Sequence, residues 1–360
     1  MNVLQALQDE HDLTLVTVTS PDLGALNRYY GTDVRSAAIT VDRVWPVGTA
    51  IQRIASGVGV PDVRLWKLRG ALLKRFWDAS PYDIVVSTYN EFSFSVPALQ
   101  YVHYPNGAGP RRRIHEWVYL RLAEAIDGRD REQIRSSTLL ANSEWTAGIT
   151  DDVYGVRPRV VYPPVNTTDF ETTPWADREQ GIVSIGRIEP TKNVCQIIEI
   201  VRRVRERGHD VHLHLVGPIA AAEYGQRVRR RARSLDFVEL EGPVERPELV
   251  DLVTSHRYGL HGKESEHFGM AVAELLAGGT VPFVPDSGGQ REVVAENDDL
   301  MYGSLEEAVT KISHICSLPD RGASVRPDNS YVKDRFGPKR FRETIASAVE
   351  AGLRPPRLNG

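Results

Sequence analysis

Residues 181–216 read GIVSIGRIEPTKNVCQIIEIVRRVRERGHDVHLHLV, and this stretch decides the fold class. It begins with an apolar, β-branched run at 181–185, continues with an amphipathic stretch at 193–208 and ends with a second apolar run at 211–216. A strand, a helix and a second strand in this order form a βαβ unit, whose two strands run parallel. The sequence therefore predicts an α/β protein with parallel sheets covered by helices.

The same alternation extends in both directions along the chain. Short β-branched runs are separated by amphipathic stretches, as expected when helices connect parallel strands. The other expected strands are 13–18, 38–41, 84–87, 100–103 and 138–141 before the quoted stretch, and 238–240, 258–260 and 281–284 after it. The other expected helices of the second half are 219–235, 247–255 and 269–277.

The length of 360 residues predicts two domains, because a single hydrophobic core seldom organises so long a chain. Pro163 and Pro164 cannot lie inside a helix or a central strand, so the boundary is placed beside them. The expected division is an N-terminal domain at 1–165, a second domain at 166–335, a C-terminal helix at 336–353 and a polar tail at 354–360.

The beginning of the chain departs from the usual pattern. Residues 2–9 are predicted to form a helix, whereas a doubly wound domain normally opens on a strand and a glycine-rich turn. We therefore expect that the N-terminal domain lacks its first strand and first loop. A domain that simply begins with a helix is the alternative.

Composition indicates an ordinary globular protein, with 41% hydrophobic and 26% charged residues. A net charge of -4 gives no argument for a nucleic-acid partner. Cys195 and Cys316 have no metal-ligand spacing, which favours a reducing setting, and no signal-peptide pattern is evident. We expect a cytoplasmic protein without a transmembrane span.

The most informative chemistry lies in Glu266-His267-Phe268-Gly269-Met270-Ala-Val-Ala-Glu274. A helix that begins near Phe268 or Gly269 would direct free N–H groups at the crevice beyond a strand, which suits a pyrophosphate. At 1.5 Å rise per residue, Glu266 and Glu274 would lie roughly 12 Å apart along one helix face. That is about the span from a hexose to a ribose across two phosphates, and both groups hold acceptor oxygens. An amphipathic helix with solvated carboxylates is the alternative.

A second segment, Gly186-Arg187-Ile-Glu-Pro-Thr-Lys192-Asn193, follows an apolar strand and opens another helix. It would place two cations in the crevice at the carboxyl end of that strand. A diphosphate needs such cations, both for binding and as negative charge develops on a leaving nucleotide. Lys192 stands out in a chain that uses far more arginine than lysine. Surface charge at a helix start is the alternative.

Together these two segments resemble glycosyltransferase family 4, the retaining enzymes of GT-B fold. Four further segments carry the resemblance: Tyr101-Val-His103-Tyr-Pro105, Asn142-Ser-Glu-Trp-Thr146, Val161-Tyr-Pro-Pro-Val165 and Asp286-Ser-Gly-Gly-Gln-Arg-Glu-Val-Val294. The sequence looks most like the mannosyltransferases that extend lipid-linked oligosaccharides with α-1,2-mannose. The resemblance implies two Rossmann-like parallel-sheet domains facing a cleft, with the C-terminal helix crossing back to the first domain.

The resemblance also implies roles for individual residues. Arg187 and Lys192 would hold the donor phosphates, Glu266 would meet the transferred sugar and Glu274 would take the ribose. His103 would approach the sugar from the N-terminal domain, and the residues expected to be catalytic are therefore Glu266, His103, Arg187 and Lys192. The other residues expected at the donor are Gly186, His267, Phe268, Gly269 and Met270, with Pro243 and Val244 framing the base.

The implied reaction retains the anomeric configuration, with a donor phosphate oxygen helping to deprotonate the acceptor. No cofactor and no metal are expected, since no Asp-x-Asp lies beside a strand end and Arg187 and Lys192 supply positive charge. The predicted function is transfer of a hexose, with mannose slightly favoured, from a GDP- or UDP-linked donor to a glycan or lipid-linked acceptor.

Four other functions are alternatives. A non-catalytic or truncated GT-B protein would bind nucleotide or act as a partner subunit. A GT-B sugar-nucleotide epimerase or a phosphorylase is disfavoured by the Arg187, Lys192, Glu266 and Glu274 combination. A dehydrogenase is disfavoured because no strand is followed by G-x-G-x-x-G.

Two basic and aromatic stretches suggest a membrane contact. Residues 64–77 alternate cations with large apolar side chains, and Arg111-Arg112-Arg113 precedes Ile114 and Trp117. Such compositions suit an interfacial helix and an anionic lipid-phosphate acceptor. A peripheral location on the cytoplasmic membrane face is therefore expected, with a core-packing helix of basic outer face as the alternative.

Overall fold

A computed structural model describes residues 1–17, 20–44, 77–106, 130–170, 173–320, 322–325 and 329–353, together with residues 108, 128 and 327. The chain divides into two compact units, one formed by Met1–Tyr162 with Phe341–Gly360 and the other by Pro163–Arg340. Every strand pairing in both units is parallel, so the predicted α/β class is confirmed.

In the described part of the first unit the strands form two groups. The pair β1 and β2 stands apart from a sheet of four strands, β3 to β6, which are hydrogen-bonded in sequence order. Its strands are β1 (Leu13–Thr17), β2 (Ile39–Arg43), β3 (Val85–Ser87), β4 (Ala98–Val102), β5 (Thr138–Ala141) and β6 (Arg159–Val160). Its helices before the boundary are α1 (Asn2–Leu7), α2 (Leu23–Tyr30), α3 (Arg131–Ser136) and α4 (Glu144–Tyr154).

The core of the first unit is completed by a helix from the far end of the chain. The apolar side chains that this helix buries are spaced three or four residues apart or adjacent, so they share one face. They are Phe341, Ile345, Ala348 and Val349, and they pack with Leu7, Leu99, Tyr101, Leu140 and Val161. Each such buried side chain stabilises the fold by about 1.5–3 kcal/mol at most, with alanine contributing less.

The second unit is a single parallel sheet of six strands. Its strands are β7 (Glu179–Ile185), β8 (His212–Val216), β9 (Val238–Gly242), β10 (His256–Leu260), β11 (Val281–Pro285) and β12 (Met301–Tyr302). The remaining helices among the described residues are α5 (Val194–Glu206), α6 (Ala222–Ala232), α7 (Arg246–Ser255), α8 (Met270–Ala277), α9 (Gln290–Val293), α10 (Leu305–Ser317), α11 (Asn329–Phe336) and α12 (Pro338–Leu353). Short 3₁₀ helices cover Ser36–Ala38, Trp175–Asp177, Pro190–Lys192 and Asp298–Leu300.

The order of the six strands is β12-β11-β10-β7-β8-β9, which creates a switch point between β7 and β10. From β7 the chain builds outward through β8 and β9, and it then returns to β10 and builds outward on the other side. The loops after β7 and β10 therefore diverge, which opens a crevice at the carboxyl ends of these two strands. This is the position at which open α/β sheets bind their ligands.

The apolar faces explain why these elements form. All five residues of β10 are buried, as expected for a central parallel strand covered on both faces. Helix α5 buries Val194, Ile197, Ile198 and Val201 on one side and ends in a turn rich in arginine, which suits the negative end of the helix dipole.

The two basic and aromatic stretches fall largely outside the described residues: of 64–77 only Trp77 is described, and 111–117 lies wholly outside. Among the helices that are described, none has the length and apolar composition needed to cross a membrane.

Candidate functional site

The candidate site lies in the second unit, where the loops after β7, β10 and β11 meet at the switch point. The Asn193 side chain donates a hydrogen bond of 2.8 Å to the carbonyl of Gly262, and the amide of Gly289 donates one of 2.8 Å to the carbonyl of Glu266. A Cβ atom on Gly262 would lie 2.7 Å from the carbonyl oxygen of Lys192. Glycine at this position therefore lets the loops approach closely.

The largely buried carboxylate of Glu266 organises the site. Nζ of Lys192 lies 2.7 Å from Oε2 of Glu266, and Nζ of Lys263 lies 2.8 Å from Oε1. Nε2 of His261 is 3.4 Å from Oε2. The side chains of Lys192 and Glu266 are only 18% and 14% exposed, so the pair is largely shielded from water. We call Lys192, His261, Lys263 and Glu266 the Glu266 cluster.

The Glu266 cluster carries a net positive charge. Burial alone would raise the pKa of Glu266, but contact with His261 and the charges of Lys192 and Lys263 outweigh burial and hold this pKa far below its ordinary value. Burial lowers the pKa of His261, so its ring is neutral at neutral pH. Two ammonium groups and one carboxylate therefore leave one positive charge at the crevice.

The sequence prediction that Glu266 and Glu274 share one helix face is wrong. Helix α8 begins only at Met270, with Gly269 as its N-cap at φ 110°. Ser265 has φ 52°, and Glu266 forms an isolated parallel bridge with Gly288. Glu266 thus belongs to a loop that has positive φ at Ser265 before it and at Gly269 after it, and a separation based on helical rise does not apply.

Glu274 lies on α8 and has a different environment. Its Oε1 is 2.5 Å from Nη1 of Arg246, whose Nε is 3.0 Å from Oδ2 of Asp169. Burial raises the pKa of Glu274, and the charge of Arg246 only partly offsets that rise. Glu274, within α8, and the Glu266 cluster, in the loop before α8, are therefore two separate polar groups.

The remaining donor-side residues lie around these groups. Gly186 follows β7 with φ 153°, and Arg187 reaches Oε1 of Glu189 at 3.2 Å with 49% of its side chain exposed. Phe268 is 3% exposed and its ring meets Phe336 edge-on at 5.3 Å, so its side chain is packed in the core and does not line the crevice.

Two further predicted residues contrast in their exposure and contacts. Met270 is 43% exposed. The backbone amide of His267 donates a hydrogen bond of 3.2 Å to Oε1 of Glu266. Arg187 pairs with Glu189, whereas Lys192 and the amide of His267 contact Glu266 directly.

Pro243 and Val244 follow β9, the edge strand of the sheet. Three strand spacings separate β9 from β10, which corresponds to roughly 14 Å. This distance exceeds any direct contact with the Glu266 cluster, and it suits groups that contact opposite ends of one extended ligand.

His103 lies in the first unit, directly after β4. Its backbone amide donates a hydrogen bond of 2.6 Å to Oδ1 of Asn90, and its Nε2 lies 3.1 Å from the carbonyl oxygen of Thr88. Its ring packs edge-on against the Tyr101 ring, with 5.0 Å between the ring centroids. These contacts fix the backbone and ring of an exposed histidine. Its approach to a donor sugar stays a prediction.

Sequence reasoning did not assign roles to several residues that hold the site together. Lys263 carried one available signal, because lysine is rare in this chain. Gln290 is fully buried and donates from Nε2 to the carbonyls of Lys263 and Ser287 at 3.0 and 2.9 Å. Arg246 is paired with residues distant in sequence, so no local pattern marks it.

Comparison with known families places the crevice in a recognised domain. Residues 165–315 match the model of the family described as Glycosyl transferases group 1. This range includes the Glu266 cluster, Glu274 and the loop after β7.

Curated relatives share part of the chain. The GDP-Man:Man(3)GlcNAc(2)-PP-Dol alpha-1,2-mannosyltransferase of Dictyostelium discoideum is 25% identical over 238 residues, covering 60% of this chain and 47% of the relative. The Homo sapiens protein of the same name is 26% identical, covering 60% of this chain and 48% of the relative. The chain therefore spans about half the length of these curated relatives.

Solved structures match nearly the whole chain at low identity. Alr3699/HepE of Anabaena, in complex with UDP and glucose, superposes with a TM-score of 0.67 at 15% identity, covering 97% of this chain and 95% of the other. WaaG, a glycosyltransferase involved in lipopolysaccharide biosynthesis, gives 0.64 at 14% identity, covering 96% and 94%. The protein has the GT-B fold, and its residues 165–315 match the glycosyl transferases group 1 domain.

Proposed function

We propose that this protein is a retaining glycosyltransferase that moves a hexose, preferably mannose from GDP-mannose, to a glycan or lipid-linked acceptor. The observation that carries the proposal is the Glu266 cluster, a buried and net-positive group at the switch point of a parallel sheet. The names of the curated relatives support mannose and GDP as the donor parts, and PP-Dol in those names supports a lipid-linked acceptor.

The Glu266 cluster suits the donor diphosphate. Lys192 and Lys263 are held in place by the carboxylate between them, so their ammonium groups are oriented before a ligand arrives. Preorganised positive charge stabilises the negative charge that develops on a departing nucleotide diphosphate. Amide groups at the start of α8, an eight-residue helix, add partial positive charge at the same crevice.

The low pKa of Glu266 keeps this residue an acceptor at any physiological pH. An ionised carboxylate accepts hydrogen bonds from sugar hydroxyls and does not donate a proton. In the proposal, Glu266 therefore binds the sugar that is being transferred by accepting hydrogen bonds from its hydroxyls. The proton of the acceptor hydroxyl passes to a donor phosphate oxygen, and neither a cofactor nor a metal ion takes part.

The pair formed by Glu274 and Arg246 suits the nucleoside part of the donor. The carboxylate of Glu274 is buried beside one guanidinium and has acceptor capacity for a ribose diol. Pro243 and Val244, near the other edge of the sheet, would frame the base. The donor would then extend from the Glu266 cluster across the carboxyl ends of the strands.

The test is a binding and turnover assay of the full chain with a panel of GDP- and UDP-linked sugars. We expect GDP-mannose to bind more tightly than the other donors, and GDP to be released when a lipid-linked glycan is added. Binding without release would favour a non-catalytic nucleotide-binding protein. Absence of binding to every donor would contradict the proposal.

Peripheral contact with the cytoplasmic face of a membrane is part of the proposal. It is supported by the composition of residues 64–77 and 111–117 and by the lipid in the relatives' names. We expect the protein to sediment with anionic phospholipid vesicles and not with neutral ones. Failure to sediment with either kind of vesicle would contradict this part.

A further inference from the structure

A second polar cluster lies at the amino-terminal ends of the strands in the six-stranded sheet, opposite the carboxyl ends that form the crevice. His212 begins β8 and His256 begins β10, so both lie at the amino-terminal ends of their strands. His214 is two residues further along β8 and therefore shares the sheet face of His212. The function proposed above uses none of these three histidines. We call them the histidine cluster.

The strand between β8 and β10 leaves room for this cluster. Strand β7 has glycine at position 181, and a Cβ atom there would lie 2.2 Å from Cδ2 of His256 and 2.3 Å from Nε2 of His212. Any other residue would fill the space in which the two rings meet. The absence of a side chain on the middle strand therefore brings together imidazoles from two strands that are not neighbours.

The ring nitrogens converge on one point. A ligand atom from each of the three histidines lies within 4.8 Å of those of the other two, and Nε2 of His212 is 3.0 Å from Nε2 of His256. Two ligands of a tetrahedral zinc ion with bonds near 2.05 Å are about 3.3 Å apart. The closest pair already has nearly this spacing, and the widest pair would have to close by at most about 1.5 Å.

The hydrogen bonds on the far sides of two rings suit metal ligands. Nδ1 of His256 lies 2.6 Å from the carbonyl oxygen of Leu252, which can only accept, so this nitrogen carries the proton. Nδ1 of His214 likewise lies 2.6 Å from Oε1 of Glu241. An imidazole whose Nδ1 donates to such an acceptor leaves Nε2 free to bind a metal. Metal-binding histidines are held in this way by a carbonyl or a carboxylate on the other nitrogen.

Charge and access also fit a bound cation. Oε2 of Glu179 lies 3.6 Å from Nε2 of His212, and its side chain is 62% exposed and can move. The His212 ring is 32% exposed, which gives an ion a path from solvent.

We propose that His212, His214 and His256 bind one divalent transition-metal ion, for which Zn²⁺ is the best fit, with Glu179 or water as the fourth ligand. Three imidazoles and a carboxylate are ligands that zinc accepts in tetrahedral geometry. The ion ties β8 to β10 across β7 at the edge opposite the Glu266 cluster. Its role is structural, and it takes no part in sugar transfer.

The test is a titration of the full chain with Zn²⁺ and with Co²⁺ after treatment with a chelator. We expect one equivalent of Zn²⁺ to bind, to displace Co²⁺ and to raise the midpoint of thermal unfolding. Bound Co²⁺ should give the intense visible absorption of a four-coordinate site. His212→Gln should weaken binding more than about 100-fold, because it removes a ligand, and Glu241→Gln about 10–100-fold, because it removes the support of one.

Two matched variants serve as controls. His314→Gln removes an exposed histidine from α10, and His11→Gln removes the histidine of the group formed by Glu10, His11 and Glu350. Both should bind Zn²⁺ as the parent does. The proposal fails if the folded parent binds no more ion than His212→Gln does, or if the Co²⁺ spectrum survives that substitution. In either case the histidine cluster is a hydrogen-bonded group without metal.

Discussion

The surroundings of Glu266 and Glu274 shift the pKa values of these two carboxylates in opposite directions. Glu266 lies in a loop between two lysines, and its pKa is lowered, whereas Glu274 lies on α8 beside one arginine, and its pKa is raised by burial. Both carboxylates are largely buried. Burial raises the pKa of both carboxylates, but at Glu266 the contact with His261 and the charges of Lys192 and Lys263 outweigh burial, whereas at Glu274 the charge of Arg246 does not.

The largest expected effect comes from Glu266→Gln. This change leaves Lys192 and Lys263 buried without the carboxylate that orients them, so we expect kcat for sugar transfer to fall by about 10²–10³-fold. Steady-state kinetics with GDP-mannose measure it. The control is Glu264→Gln, which alters an exposed glutamate of the same loop. Equal losses of kcat in both variants would contradict the role proposed for Glu266.

Lys192→Gln should have the next largest effect. It removes one of two cations from the Glu266 cluster, and truncating one partner of a buried charge pair costs at least about 2 kcal/mol, or roughly 30-fold in affinity. We expect GDP to bind more weakly by that factor in calorimetric titrations. Lys311→Gln, on α10, should leave GDP affinity unchanged. Unaltered binding by Lys192→Gln would mean that the diphosphate lies elsewhere.

Glu274→Gln should act on donor affinity more than on turnover. The amide retains an acceptor oxygen but loses the charge-assisted hydrogen bond with Arg246, so we expect KM for the donor to rise about 10-fold with kcat changed less. A fall in kcat as large as that of Glu266→Gln would show that the two carboxylates act as one unit.

The smallest effect is the pH dependence of stability. The folded pKa of Glu266 lies below its ordinary 4.5, so this residue stabilises the fold above that pH and its contribution is lost on acidification. Each tenfold difference in proton affinity between the folded and unfolded chain corresponds to about 1.4 kcal/mol. The raised pKa of Glu274 has the opposite sign, since its contribution is lost as pH rises past 4.5.

Urea unfolding at pH 4 and pH 7 checks both signs. The free energy of unfolding of the parent minus that of Glu266→Gln should shrink on acidification, and the difference from Glu274→Gln should grow. If both free-energy differences changed in the same direction, the opposite pKa shifts assigned to Glu266 and Glu274 would be wrong.

The fold was largely predictable, because β-branched runs and amphipathic stretches are local signals. Strand Thr138–Ala141 was placed at its observed ends, and β7, β8, β10 and β11 were each placed within two residues. The Glu266 loop was misread as helix because helical rise assumes a regular backbone, whereas Ser265 and Gly269 both have positive φ.

Long-range contacts escaped the sequence for a different reason. Lys192 and Glu266 were expected to share a crevice, but the pairing of Arg246 with Glu274 and the meeting of His212 with His256 depend on strand order. The sheet order places β7 between β8 and β10, and no local pattern in the sequence reveals which strands become neighbours.

The return of α12 to the first unit has a consequence for synthesis on the ribosome. A nascent chain that ends at Arg340 already contains all of the second unit, but it lacks the four apolar side chains from Phe341 to Val349 that complete the first. The segment made first therefore finishes folding last. During that interval the first unit lacks the helix that packs with Leu99 and Leu140, so this apolar surface is exposed to aggregation.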